Sequence, residues 1–242
     1  RPLDPRTPMG TTVTGRSATM VSPAHAKKVV YGRSSPLIVR RRPGIPASPP
    51  AQSMGSLELG GVPAAADIYA FTGHKWCCGP EGLGGVALSE RVLEQSQPTV
   101  IGWRSLRNEN SSGSQWHHDG RRFEVATSCI PLGAGLRSSL DLLEELGDAQ
   151  QREALICERS ARLWNGLQQI PAVQTVVKEA PPASGLVSFT IDHTPAQAAV
   201  SALADQHFQL RSLEDPLCLR ACTHVFSTES EIDQLLEAIS QL

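Results

Sequence analysis

The sequence predicts an α/β protein that ends in a small α+β domain. Three observations predict it. Two short apolar runs, Asp67-Ile-Tyr-Ala-Phe71 and Leu83-Gly-Gly-Val-Ala-Leu88, read as buried strands around a glycine-rich loop. Two long helical patterns follow them. The remainder then runs β-β-α-β-β-α, the order of a compact α+β unit.

Each element has its own local reason. Leu136, Leu140 and Leu143 repeat at helical spacing, and Gly147 stops that helix. Asp148 with Gln151 forms a capping box for the next helix. Its apolar stripe is Ile156, Leu163, Leu167 and Ile170, and Pro171 ends it. Strands are expected over residues 173–177 and 185–191. Thr194 then caps a helix that has Pro195 at its first position. Further strands are expected over 208–213 and 218–224. Thr228 with Glu231 caps a last helix that turns Ile232, Leu235, Leu236 and Ile239 inward.

The bulk composition is that of an ordinary globular protein. The 242 residues are 40% hydrophobic and 19% charged, with a net charge of −2. That balance argues against a nucleic-acid or anionic-membrane partner. No run reaches the roughly 18–20 apolar residues of a membrane span. The Pro- and Arg-rich start lacks the apolar core of a signal peptide. The six cysteines, Cys77, Cys78, Cys129, Cys157, Cys218 and Cys222, include no CxxC pair. A reduced, cytoplasmic setting without a metal site is the expectation.

Charge divides the chain. Residues 1–50 hold nine of the 18 prolines, nine of the 22 Lys/Arg and one of the 24 acids. They carry about +8, and the remaining residues about −10. Short apolar pieces such as Lys28-Val-Val-Tyr31 show no sustained period, and Arg40-Arg-Arg-Pro43 breaks any regular element. A basic nucleic-acid tail would need interleaved aromatics, so a poorly ordered, non-native extension is expected, with the bias of out-of-frame GC-rich DNA. The predicted organisation is this segment, then 51–132 as part of a large domain, then 133–242 as connecting helices and small domain.

The densest chemical signal is Tyr69-Ala-Phe-Thr-Gly-His-Lys-Trp-Cys-Cys-Gly-Pro-Glu-Gly-Leu-Gly-Gly85. A strand delivers Thr72, His74 and Lys75 to its end, and a glycine-rich loop follows. Thr72 and His74 can donate to phosphate oxygens, and the glycines permit close backbone approach. The Walker order G-x-x-x-x-G-K-[ST] is absent. Residue types alone leave open a surface lysine in a turn.

Thr-Gly-His-Lys-Trp followed by Gly-Pro-x-Gly-x-Gly-Gly resembles the lysine signature of class V aminotransferase-type enzymes, which use pyridoxal 5'-phosphate (PLP). The likeness extends through Ala51-Gln-Ser-Met-Gly-Ser56, Gly102-Trp-Arg-Ser105, Arg122-Phe-Glu-Val-Ala-Thr127 and Asp215-Pro-Leu-Cys-Leu-Arg-Ala-Cys222. It covers residues 51–242 and is strongest toward the cysteine/cystine C–S lyases. The resemblance implies fold type I, with an incomplete large domain of a mostly parallel seven-stranded sheet and a small C-terminal domain. It also implies a homodimer acting on a small amino acid.

The same resemblance implies roles. Lys75 is the Schiff-base lysine and the acid/base at Cα. Thr72 and His74 are phosphate-side ligands, and Gln52 donates to the PLP phenolate oxygen. Thr127 reaches the phosphate of the neighbouring subunit, and Trp103 lies in a segment approaching the partner's site. Arg220 grips the substrate carboxylate, with Arg211 as an auxiliary. The implied reaction is β-elimination from cystine or cysteine, giving pyruvate, ammonia and a persulfide or sulfide.

A cysteine desulfurase of this class would carry a nucleophilic cysteine on a loop between Arg211 and Arg220. The sole cysteine there, Cys218, reads as a packed strand residue. Three readings thus stand in order: lyase, then desulfurase or aminotransferase, then an inactive fragment that at most dimerises as a scaffold. One departure is clear. Where the family places an aspartate against the pyridine nitrogen, three residues before Gln52, this chain has Pro49. The family's N-terminal half, with its phosphate-binding turn and ring-stacking residue, has no counterpart in the motifs.

Overall fold

The computed structural model describes residues 12–13, 16–21, 50–61, 65–108 and 115–242, with only the backbone described up to residue 51. The chain forms two compact units: Arg1–Gly55 with Leu59–Leu143, and Ser56–Glu58 with Glu144–Leu242.

The first unit is built on a four-stranded sheet in the order β1-β2-β4-β3, formed by β1 (Thr12–Val13), β2 (Arg16–Val21), β3 (Ile68–Thr72) and β4 (Gly84–Leu88). Two of these strands lie in the basic segment, where the sequence predicted no regular element. β2 pairs antiparallel with β4, Thr19 opposite Val86. A free sheet edge carries a row of unpaired N–H and C=O groups, and a six-residue stretch ending Thr-Met-Val suffices to satisfy it. The rest of residues 1–49 lies outside the described residues. All strand pairs described are antiparallel. The mostly parallel sheet of the family belongs to a large domain that the resemblance implies is incomplete here. Parallel neighbours need crossovers of about a dozen residues or more, whereas the described strands are joined mainly by loops and turns.

β3 and β4 form a hairpin whose long loop carries the Lys75 turn. Gly73 N–H donates to the Leu83 carbonyl at 2.9 Å and closes the loop at its base. Within it, Gly79 N–H donates to the Gly73 carbonyl at 2.8 Å, and Cys78 N–H to the Lys75 carbonyl at 2.9 Å. The loop folds over a small apolar cluster of Cys77, Leu83 and Leu136, with Met54, Phe71 and Leu132 around it. Leu132 and Leu136 come from α3 (Ile130–Glu145). A Cβ at Gly79 would lie 2.6 Å from a Leu136 methyl and 3.0 Å from the Gly73 carbonyl oxygen, so a larger residue there would have to push Leu136 aside. Leu136 and Leu143 are buried as the spacing predicts, but Leu140 is exposed.

The short helix α1 (Pro50–Ser53) is pinned to this loop. Ser53 Oγ and Tyr69 Oη share a buried 2.7 Å hydrogen bond. The Cys77 thiol donates to the Met54 carbonyl at 3.5 Å. Gly55, at φ +93°, packs so closely that a Cβ would sit 2.5 Å from the Trp76 carbonyl oxygen. Further along are α2 (Glu90–Gln95), the small hairpin β5 (Leu106–Asn108) and β6 (Gln115–Trp116), and 3-10 turns at Trp103–Ser105 and Gly120–Phe123. These were not anticipated, because each is too short for a periodic signal.

The second unit begins with α4 (Ala149–Leu167), then β7 (Val173–Thr175), β8 (Leu186–Ile191), α5 (Ala196–Asp205), β9 (Arg211–Glu214), β10 (Leu217–Cys222) and α6 (Glu229–Ser240). The sheet order is β7-β8-β10-β9. β8 alternates strictly, sending Val187, Phe189 and Ile191 into a core with Leu163, Leu167, Leu203, Leu219 and Ile239. Both predicted capping boxes form, at Asp148/Gln151 and Thr228/Glu231. Pro195, not Thr194, caps α5. Thr194 instead bridges to Ile191 across a tight turn with His193 at φ 62°, so the helix starts one residue later. β9 and β10 are joined by Asp215-Pro216 alone, which moves both strands from their predicted bounds.

Phe189 is fully buried, so Phe189→Ala should cost about 3–5 kcal/mol in urea unfolding. Gly55→Ala adds a left-handed strain and an overpacked contact, and should cost about 2–4 kcal/mol. That loss should appear as faster proteolysis between residues 52 and 77, with the second unit's protection unchanged.

Candidate active site

Strand β3 delivers the residues that the sequence singles out. Thr72, its last residue, is half-buried and pairs with Gly84. The chain then turns, and His74 and Lys75 both emerge exposed while Trp76 and Cys77 turn inward. A lysine on a turn closed by its own backbone hydrogen bonds is presented from a fixed base rather than a loose loop.

Gln52 joins the turn through a side-chain contact. Trp76 Nε1 donates to Gln52 Oε1 at 3.0 Å. Indole nitrogen is a donor only, so the carboxamide must present its oxygen to Trp76 and its NH2 end elsewhere. Trp76 is only 4% exposed, and a buried indole N–H requires an acceptor. The sequence reading missed this partner. Its signal was a tryptophan directly after the lysine, in a segment otherwise rich in glycine. Tyr69 was missed likewise; burial raises its phenol pKa, and it stays a neutral hydrogen-bonding partner for Ser53.

These groups fit the cofactor that the sequence implies. An amine suits its aldehyde, a hydroxyl and an imidazole suit phosphate oxygens, and a carboxamide N–H suits a phenolate. The Pro49 position, expected against the pyridine nitrogen, lies outside the described residues.

Thr127 and Trp103 come from other segments of the chain. Thr127 is exposed just ahead of α3, and Trp103 is 58% exposed on a 3-10 turn. Trp103 lines a cleft of about 400 Å³ with Arg104, Leu106, His117, Arg121 and Glu124. Thr72, His74 and Lys75 are not among its lining residues. The cleft's charges are internally matched. Arg104 pairs with Glu124 at 3.2 Å and Arg121 with Asp119 at 2.7 Å. Burial pushes the Glu124 carboxyl up and Arg104 opposes it, while the hydrogen-bonded Arg121 holds Asp119 below the usual carboxylate range. Desolvation, with Arg121 nearby, pushes His117 down. Arg122, of the Arg-Phe-Glu-Val-Ala-Thr motif, is structural. It donates to the carbonyls of His117, Leu93 and His118, tying the end of α2 to the loop after β6.

In the second unit, Arg220 and Arg211 are direct cross-strand partners on β10 and β9. Like charges placed opposite each other disfavour the sheet, so the pairing is suited to an anion lying between them. Alternation puts Leu219 and Ala221 in the core and Cys218, Arg220 and Cys222 on the other face. Burial raises the Cys222 thiol pKa, and Arg220 partly offsets that. Cys218 is 1% exposed within β10, and the two-residue β9–β10 turn carries no cysteine. Among the described residues no cluster of His, Cys, Asp or Glu could hold a metal, and no helix is long and apolar enough to cross a membrane.

Known proteins place this arrangement. The aminotransferase class-V family matches residues 50–235. A cysteine desulfurase of Haloferax volcanii is 28% identical over 202 residues, covering 78% of this chain and 46% of that protein. A structure of the cystine C–S lyase C-DES in complex with its reaction product, cysteine persulfide, is 43% identical with a TM-score of 0.74. It covers 79% of this chain and 50% of C-DES. A C-DES variant with glycine covalently linked to the PLP cofactor is 42% identical with a TM-score of 0.75. The chain therefore spans about half the length of the relatives it matches. With more than half of its residues inside one family match, and the fold type I structures of that family as its neighbours, the chain belongs to the class V aminotransferases.

Proposed function

We propose that this chain carries the lysine turn and the carboxylate grip of a PLP-dependent enzyme that breaks the Cβ–S bond of cystine or cysteine. The observation that carries this reading is Lys75, exposed on a closed turn at the end of β3 beside Thr72 and His74. Likeness to C-DES at 43% identity supports elimination as the reaction.

PLP, when bound, supplies an electron sink for the bond broken at Cα. The chain's own residues do the rest. Lys75 Nζ anchors the cofactor and moves the Cα proton. The Thr72 hydroxyl and His74 imidazole donate to phosphate oxygens. Arg220 donates two parallel hydrogen bonds to the substrate carboxylate, and Arg211 adds its charge alongside. For cystine the balance is cystine plus water giving cysteine persulfide, pyruvate and ammonia, with no external oxidant or reductant. Thr127 and Trp103, both exposed, are placed by this reading against a second copy of the chain in a cytoplasmic homodimer of sulfur metabolism.

A desulfurase needs a thiol that moves to the substrate sulfur. Cys218 is sealed in a strand, which favours the lyase. The test is pyruvate and sulfane-sulfur release from cystine with added PLP. Lys75→Ala should abolish both products. Arg220→Lys loses the two-pronged contact and should raise KM by about tenfold or more, since a charged hydrogen bond is worth about 1.5–3 kcal/mol. Cys218→Ala should leave turnover intact. Loss of sulfur release with that variant would establish the desulfurase, and no turnover by the unmodified chain would leave it a non-catalytic scaffold.

A further inference from the structure

We propose that Trp76 is a positioning residue for the cofactor. Its indole N–H holds the Gln52 carboxamide by the oxygen and so turns the amide N–H donors toward the cofactor's phenolate oxygen. The inference rests on the PLP reading above and goes beyond it, because that reading gives Trp76 no role.

The argument is one of handedness at a single amide. A glutamine side chain has an acceptor end and a donor end, and free rotation would offer either to a ligand. A phenolate oxygen accepts hydrogen bonds, so only the donor end is productive. The 3.0 Å bond from Trp76 Nε1 to Gln52 Oε1 selects that orientation, because indole cannot accept. Trp76 cannot easily turn away. Its ring is buried, and its carbonyl oxygen packs against Gly55, where a Cβ would lie 2.5 Å away. Gln52 is held from its other side through Ser53, whose hydroxyl bonds the buried Tyr69. The residue that follows the lysine in the chain thus also fixes the group expected at the phenolate, so one turn sets both contacts.

The experiment compares the full chain with Trp76→Phe, Gln52→Ala and the double variant. Phenylalanine keeps an aromatic ring in the core and removes the donor together with some ring volume, which is why the double variant is needed. The first readout is the indole N–H signal of Trp76 in a 15N-labelled sample without cofactor, assigned by its loss in Trp76→Phe. It should move upfield in Gln52→Ala, and an unmoved signal would overturn the proposed contact. The second readout is the pH midpoint of the visible band after PLP is added. A donor on the phenolate oxygen spreads its negative charge and weakens its hold on the neighbouring proton. Both single variants should therefore raise the midpoint, and Trp76→Phe should add no further shift in the Gln52→Ala background. Two fully additive shifts, or an unchanged midpoint in Trp76→Phe, would overturn the positioning role. A chain that develops no visible band at all would instead overturn the PLP reading, and the cofactor role of Trp76 with it, while the indole signal still reports whether the Trp76–Gln52 bond exists.

Discussion

The first unit turns on how the segment Gln52–Gly55 is locked against the turn that carries Lys75. A thiol on a carbonyl, an indole on an amide and a glycine against a carbonyl oxygen join those two stretches, and a hydroxyl pair ties Ser53 to Tyr69 of the preceding β3. None is strong alone, since a net hydrogen bond is worth about 1 kcal/mol. Their value is geometric. They connect parts of the chain that are more than 15 residues apart and carry different functional groups, and they leave His74 and Lys75 exposed while Trp76 and Cys77 are buried. Leu136 of α3 completes the arrangement from beneath, touching the space where side chains at Gly73 and Gly79 would have to go.

The second unit solves a different problem with a different device. Its core is a sheet covered by helices; strict alternation in β8 decides which of its side chains are buried, while in β10 Leu219 and Ala221 face the core and Cys218 is buried on the other face. Alternation also leaves Arg220 on the opposite face, directly across from Arg211. Two guanidinium groups at one register weaken a sheet unless an anion is shared between them. The carboxylate grip proposed for this pair would have its spacing set by the strands rather than by flexible loops. The ion pairs of Arg159 and Arg162 with Glu229 and Asp233 join α4 to α6 at the surface, where such pairs add little beside the apolar core.

Much of this was legible in the sequence where one local rule decided the outcome. The capping boxes at Asp148 and Thr228 followed from short patterns with a single physical cause, and a strand was expected within a residue of where β8 forms. The strands around the lysine loop were found within a residue or two. What escaped depended on distant partners. β2 forms because β4 has an edge to fill, which no pattern in the basic segment announces. Thr194 lost its cap role because a bridge to Ile191 competed for it. Leu140 keeps helical spacing yet lies exposed, since spacing names a face but not what covers it. At the site, Lys75, Thr72 and His74 came from one contiguous motif. Trp76 as the keeper of Gln52 needed a contact across 24 residues. The same limit applies to the family resemblance: it names roles for Thr127 and Trp103, but neither lies on the Lys75 turn, and their proposed work depends on a second copy.

The central claim is that the Lys75 turn is a cofactor-bonding site, and chemical trapping tests it most directly. The chain has only four lysines, Lys27, Lys28, Lys75 and Lys178, so the labelling pattern is easily read. PLP is added to the purified protein, the bond is reduced with borohydride, and the labelled peptide is mapped. The account predicts a stable adduct on Lys75 at a stoichiometry well above that of the other three. Absence of an adduct, or equal labelling of Lys27, Lys28 and Lys178, would contradict it and leave a family member whose lysine no longer bonds the cofactor.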